Sequence, residues 1–298
     1  MSWILIALIA PLLHGLANVL DNYFTNKIFK DTSSIIFYVG FINFIFLPIV
    51  FLIQMPDFHL PISYIPLFII LGITNVFYLF PYYKALQNAD TSVVTSLFDL
   101  GRIFIPILAF IFVRERLGFH QYIGFLVIIL SSTLMSINGK DKFKINKSFW
   151  YMLLCSLILT IEIIIYKYIL TDLSWGTTIF WSSASSFIIG MSFFLIPIYR
   201  RKIFDQFQSF KKNIKILFFG EFLTWGGIVS SLYVISFIPV TLEESVSSFQ
   251  PFFVLFYGII LSRFFPNLIK EKIDPKSIFK KIILFVMMIL GIIMTLHQ

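Results

Sequence analysis

Ten apolar stretches follow one another along this 298-residue chain, near residues 3–25, 33–54, 63–87, 91–113, 118–138, 148–169, 176–199, 213–236, 240–263 and 277–296. A helix needs about 20 apolar residues to cross a bilayer, and each stretch is close to that length. The connections are short: Lys30-Asp31-Thr32, Pro56-Asp57-Phe58-His59 and Gln87-Asn88-Ala89-Asp90 leave no room for a domain outside the membrane. The runs are continuous and do not alternate, which excludes a β-barrel. A soluble fold is excluded by composition. The chain is 58% hydrophobic and 13% charged, against about 45–50% and about 25% in soluble domains. These observations predict an all-α integral membrane protein of ten transmembrane helices.

The rest of the composition narrows the chemistry. Cys155 is the single cysteine, so no intramolecular disulfide forms. His14, His59, His120 and His297 are scattered, and none has metal-ligand spacing with Cys or carboxylates. No phosphate-binding glycine loop, nucleophile elbow or HExxH occurs. The expectation is a non-enzyme with no cofactor and no bound metal. The net charge of +8 does not imply nucleic acid, because the Lys and Arg residues cluster between the apolar spans. The start, Met1-Ser2-Trp3-Ile4, lacks a basic segment, and the first stretch runs past Pro11 to Asn18 and Asp21 without a cleavage site. It reads as a retained first helix and not as a signal peptide.

The ten spans divide into five and five: residues 1–138, a charged linker over 139–147, and residues 148–298. Leu86 to Glu115 resembles Ser236 to Phe265 in layout. Ser96-Leu97-Phe98-Asp99 aligns with Ser247-Ser248-Phe249-Gln250 at an offset of 151 (247 − 96). An odd-numbered unit duplicated in tandem places its copies in opposite orientations, giving the inverted repeats of many transporters. Nineteen of the 23 Lys and Arg residues lie in the loops after spans one, three, five, seven and nine, and only Arg114 and Arg116 lie in the loops on the other side. By the positive-inside rule the nineteen are cytoplasmic and both termini are outside.

Charged groups inside a bilayer cost roughly 2.5–3.5 kcal/mol each on insertion scales, so they face water or a partner. Six spans carry polar residues at helical spacing on one face. Span one has His14, Asn18 and Asp21. Span three has Asn75, Tyr78 and Tyr82. Span four has Ser96, Asp99 and Arg102. Span six has Glu162 and Tyr166. Span eight has Glu221, Thr224 and Trp225. Span nine has Glu243, Ser247 and Gln250. Spans two, five and ten lack such stripes, and the serines of span seven suit close helix packing. One central cavity between the halves accounts for the pattern. Each member also has a plainer reading. Asp99 and Arg102 could neutralise each other. Tyr78 and Tyr82 could be packing or interface aromatics, and His14 a packing residue. Glu221 could snorkel from a helix end, and Glu243 and Glu244 could cap the helix that follows Pro239. Pro106 and Pro251 suit kinked helices.

A family resemblance rests on Tyr82-Tyr83-Lys84-Ala85-Leu86, Ala89-Asp90-Thr91-Ser92-Val93-Val94, and the apolar run from Ile105 to Val113 that ends in Arg114-Glu115-Arg116-Leu117. Gln121-Tyr122-Ile123-Gly124 and Phe249-Gln250-Pro251-Phe252 add to it. The chain resembles the EamA-type members of the drug/metabolite transporter superfamily over essentially its whole length. Two departures stand out. Arg114 occupies the family's usual Gly before Glu115, and Asp99 and Arg102 place charges where the family is usually uncharged. The resemblance implies a secondary transporter of amino acids, metabolites or toxic compounds, with a cavity lined from both halves. Many relatives have cytoplasmic termini, in contrast to the charge pattern here.

Together these readings predict a multi-pass cell-membrane protein, of bacterial inner-membrane type. It would move a small polar or zwitterionic, amino-acid-like metabolite by alternating access, with the substrate and the lipid bilayer as its partners. The expected substrate-binding residues are His14, Asn18, Asn75, Tyr78, Tyr82, Ser96, Asp99, Arg102, Tyr166, Trp225, Ser247 and Gln250. Glu162 and Glu221 are the expected proton-coupling residues. The alternative is a membrane enzyme acting on a lipid-linked substrate, for which Glu243 and Glu244 are the only adjacent carboxylates.

Overall fold

The structure, a computed structural model, describes residues 2–136, 147–264 and 275–296. The expected charged linker lies outside the described residues except for Lys147, as do Lys270, Lys272 and His297. Every regular element among the described residues is helical. In chain order these are α1 (Trp3–Ile28), α2 (Thr32–Ile53), α3 (Ile62–Leu86), α4 (Thr91–Arg102), α5 (Ile105–Val113), α6 (Phe119–Ser136), α7 (Lys147–Ile169), α8 (Trp175–Leu195), α9 (Pro197–Asp205), α10 (Phe207–Ile235), α11 (Val240–Arg263) and α12 (Pro275–Leu296).

Seven of these helices, α1, α2, α3, α7, α8, α10 and α11, are long and apolar enough to cross a membrane, and α4 with α5 makes an eighth if the bent pair is one span. The apolar parts of α6 and α12 are shorter, Phe119–Leu134 and Ile282–Thr295. Large apolar side chains such as Leu52, Phe112 and Ile188 face outward on these helices. That is the reverse of a soluble fold and the expected surface against acyl chains.

Four helices differ in detail from the spans read in the sequence. The seventh span, expected to continue to residue 199, stops at Leu195, because Pro197 cannot donate within a continuing helix and instead opens α9. The next helix begins at Phe207, ahead of the expected residue 213. The fourth span bends by about 40° between Arg102 and Ile105, just before Pro106. The ninth is interrupted at Ser248 and Phe249, just before Pro251. A matching interruption falls at Leu97 and Phe98, at the same offset of 151 (248 − 97) that aligns the two halves in sequence.

The helix pairings have a plan. α1 packs on α10 and α11, and α7 packs on α3 and α4. α2 packs on α8, α4 on α11, and α6 on α12. If α7 is the counterpart of α1, α8 of α2, α10 of α3, α11 of α4 and α12 of α6, exchanging the halves converts the first two contacts into the next two and leaves the last three unchanged. The α6–α12 contact is close because Gly124 and Gly291 face each other, and a Cβ on Gly124 would come within 2.6 Å of the Gly291 carbonyl.

Contacts between loops sort the connections into two ends. At one end Lys202 of α9 pairs with Asp31 at 2.8 Å, and the Tyr38 hydroxyl donates to the Ile203 carbonyl at 2.7 Å. Burial raises the Asp31 carboxyl, but Lys202 and Ser33 outweigh it and hold it below its ordinary value. At the other end the Asp57 amide donates to Thr177, Tyr64 bonds Asp172, and Glu115 reaches Val240.

Candidate functional site

A cavity of about 190 Å3 lies inside the bundle. Its walls come from α1, α3, the bent α4–α5 pair, α7, α10 and α11. α2, α6, α8 and α12 contribute no described lining residue. The physical reason is periodicity: residues three, four and seven apart share a helix face, so a polar stripe on an apolar helix can turn only toward other polar groups or water.

On α1 the stripe of His14, Asn18 and Asp21 lines the cavity. Gly227 of α10 makes room for it, since a Cβ there would fall within 2.6 Å of the His14 Nε2. The Tyr82 hydroxyl of α3 lies 2.8 Å from Asn18 Oδ1 and 3.1 Å from Asp21 Oδ2 and donates to one of them at a time. Also on α3, Asn75 donates to the Tyr166 hydroxyl at 3.0 Å, and Tyr78 stands beside Tyr82 with ring centroids 6.5 Å apart. From α7 come Thr160, Glu162 and Tyr166. α10 gives Thr224 and Ser231, and α11 gives Glu244, Ser247 and Gln250.

Arg102 is held from two sides. Its Nη1 donates to Asp99 Oδ1 at 2.7 Å and its Nε to Glu244 Oε2 at 2.7 Å. The triad joins α4 to α11, that is, the first half of the chain to the second. A buried cation with two carboxylates is strongly held, because removing either partner would leave a charge uncompensated in a low-dielectric interior. Gly101 allows this placement. A Cβ at that position would overlap the Ser156 carbonyl of α7, so no larger residue lets α4 and α7 approach so closely.

Glu162 has no such partner. It is 9% exposed, and its Oε2 makes no hydrogen bond. Lys167, five residues on, points away and donates to the carbonyls of Ile235 and Ile238 at 2.8 and 2.7 Å.

A second cavity, of about 100 Å3, adjoins the first through a shared wall of Asp21, Asn75, Tyr78, Tyr166, Thr224 and Ile228. Its far side holds Glu221, which accepts from Asn43 Nδ2 at 2.9 Å, with Ser182, Ser183 and Ser186 of α8. The serines of span seven therefore serve two ends, since Ser185 packs against Gly72, where a Cβ would come within 2.8 Å.

Ten residues singled out in the sequence line the central cavity: His14, Asn18, Asn75, Tyr78, Tyr82, Arg102, Glu162, Tyr166, Ser247 and Gln250. Four do not. Ser96 turns its hydroxyl back to the Ser92 and Val93 carbonyls of its own helix. Asp99 sits behind Arg102 and does not reach the cavity. Trp225 and Glu221 line the second cavity, and Trp225 stacks on Phe46 with centroids 5.5 Å apart. Asp21, Phe98 and Glu244 line the cavity although they were not among the expected contacts. Asp21 had a signal, its place on the His14–Asn18 stripe. Glu244 follows Pro239 by five residues, a position in the first turns of a helix that suggests a cap. The N-terminus of α11 is instead capped by Glu115, whose Oε1 accepts from the Val240 amide at 2.8 Å and whose Oε2 lies 3.4 Å from the Thr241 amide. Among the described residues no group of three His, Cys, Asp or Glu side chains is placed to hold a metal.

Twenty-eight solved chains match the fold. One, described only as the crystal structure of a protein, has a TM-score of 0.64 and 13% identity, covering 99% of this chain and 95% of its own. No curated protein matches the sequence. Residues 1–137 match the profile of the EamA-like transporter family. Over those residues the chain is similar to the EamA-like transporters, which fall within the drug/metabolite transporter superfamily, and its apolar helices fit a multi-pass membrane protein.

Proposed function

We propose that the protein is a secondary transporter of a small polar, amine-bearing metabolite, working by alternating access. The observation that carries this reading is the central cavity. It is walled by three helical spans from each half of the chain and lined by carboxylates, an arginine and tyrosines. Such a chamber at the junction of two similar halves is where transporters built from repeats bind their cargo.

Ten spans in two inverted five-helix repeats give the architecture. The exchange-symmetric helix pairings and the helix interruptions 151 residues apart support it. α6 and α12, the shortest in their apolar parts, pair with each other and complete the count. Rocking of one half against the other would open the cavity to each side in turn. Glu162, buried, without an opposite charge and facing the cavity, is the residue that would carry a proton in exchange for cargo. Glu221, across the shared wall, is the second candidate. The cell membrane, with both termini outside, is the location that the distribution of Lys and Arg supports.

The test is proton flux in reconstituted vesicles loaded with a pH-sensitive dye, challenged with a panel of small amines and amino acids. At least one compound should drive flux in the wild type, and Glu162→Gln should lower that flux about tenfold or more, the usual scale for losing a positioned proton carrier. Flux from no member of the panel, or unchanged flux in Glu162→Gln, would overturn the reading.

A further inference from the structure

The charges that line the central cavity are unbalanced. Asp21, Glu162 and Glu244 face it, and Arg102 is the only Lys or Arg among its lining residues. Arg102 is already committed, because two of its three guanidinium nitrogens donate at 2.7 Å to Asp99 and Glu244. A substrate carboxylate reaching for the remaining nitrogen would have to lie alongside Glu244. Lys167, the Lys or Arg nearest Glu162 in the chain, is engaged with two backbone carbonyls and does not line the cavity. Among the lining residues the site therefore offers no uncommitted Lys or Arg to a carboxylate, and His14 is the one other group there that could carry positive charge.

It does offer two unmet hydrogen-bonding groups. Glu162 Oε2 and Asn18 Nδ2 are both without partners, on residues 9% and 6% exposed. Buried polar atoms are nearly always satisfied, so two orphans facing one chamber mark where a ligand's polar groups belong. One is a carboxyl oxygen, which a bound ammonium would hold in the ionised form, and the other is a neutral donor. The rings of Tyr78, Tyr82, Phe98 and Tyr166 line the same chamber. Aromatic faces attract a desolvated ammonium and do nothing for a carboxylate.

We propose that the central cavity selects a small organic cation, an amine whose ammonium meets Glu162 and whose uncharged hydroxyl or carbonyl accepts from Asn18, and that it discriminates against zwitterions. This inference rests on the transporter reading only in taking the cavity as the cargo site. It replaces the role that Asp99 and Arg102 had in the sequence reading. Those two residues form a structural bracket between the halves, and Glu162 is the counter-ion.

Four related probes separate the possibilities. Leucinol has the ammonium and a hydroxyl, and leucine adds the carboxylate. 2-Hydroxy-4-methylpentanoate lacks the ammonium, and isoamylamine lacks the hydroxyl. Calorimetric titration of the purified full-length protein should show leucinol binding about tenfold or more tightly than leucine, and no binding of the hydroxy acid. Glu162→Gln should weaken leucinol about tenfold or more, and Glu162→Asp should restore part of the loss. In Asn18→Ala the preference of leucinol over isoamylamine should vanish. Leucine binding as tightly as leucinol, leucinol failing to bind the wild type, or leucinol affinity unchanged in Glu162→Gln would each overturn the proposal. The two readings fail separately. Leucinol bound but never carried into vesicles removes the transporter reading alone. Leucine carried while leucinol is ignored removes the cation proposal alone.

Discussion

Arg114 shows how a single residue can be legible in sequence and still surprise. It stands where the EamA resemblance expects glycine, and the structure gives the reason for that expectation. Its φ is +57°, the only positive φ at a non-glycine among the described residues, and it ends α5 in the left-handed conformation. A Cβ in that conformation costs roughly 1–2 kcal/mol, of which the greater freedom of glycine in the unfolded chain returns about 0.5–1 kcal/mol. Arg114→Gly is therefore expected to stabilise the protein by about 0.5 kcal/mol. Arg114→Ala, which keeps the Cβ, should give no gain. Thermal unfolding midpoints of the two variants in one detergent check this, and an equal rise in both would show that the loss of the arginine charge is responsible. Other residues were legible through spacing. His14, Asn18 and Glu162 stood out because polar groups on an apolar helix have few places to go. Trp225 and Glu244 were misjudged for one reason: spacing gives the face of a helix, but not which of two adjoining cavities that face meets, nor which distant residue supplies a cap.

Helix pieces were less legible than spans. Composition gives a run of apolar residues its length, and the breaks within a run depend on what packs beside it. Pro106 and Pro251 signalled the bend in the fourth span and the interruption in the ninth. The independent helix α9 had only Pro197 to announce it. It is held by tertiary contacts that no local pattern encodes: the Asp31–Lys202 pair and the bond from Tyr38 to the Ile203 carbonyl. The Glu115 cap is the same kind of feature, joining the loop after α5 to the start of α11 across 125 residues of chain. Losing such a cap costs about 0.5–2 kcal/mol. Glu115→Ala should lower the thermal midpoint accordingly, and Glu115→Gln, which still accepts one hydrogen bond, should lower it less. Hydrogen exchange localises the effect. Faster exchange confined to the first turn of α11 is the expected result, and unchanged exchange there would remove the cap from the account. The cap lies three residues from Glu243 and four from Glu244, so its loss should also loosen the bracket on Arg102.

At the scale of the molecule, the arrangement of loops and the arrangement of charges agree. Asp31 and Lys202, with Lys84 and Lys147 at helix ends, lie at one end of the bundle, and Asp57, Arg114, Arg116 and Asp172 lie in connections at the other. Odd and even loops thus alternate between the ends, as membrane crossings require. The basic residues crowd the first end. Because a bilayer potential and anionic lipids hold Lys and Arg on the cytoplasmic side, the end that carries Lys202 should be cytoplasmic and the end that carries Asp57 should face out. Cysteine labelling decides this cleanly, since the one native thiol, Cys155, is fully buried. His59, whose side chain is fully exposed, and Arg201, exposed on α9, lie at opposite ends. In intact cells a membrane-impermeant maleimide should label His59→Cys at once and Arg201→Cys only after permeabilisation. The reverse pattern would place the basic end outside and both termini in the cytoplasm, as in many relatives, leaving the cavity and its bracket intact but turning the protein over in the membrane.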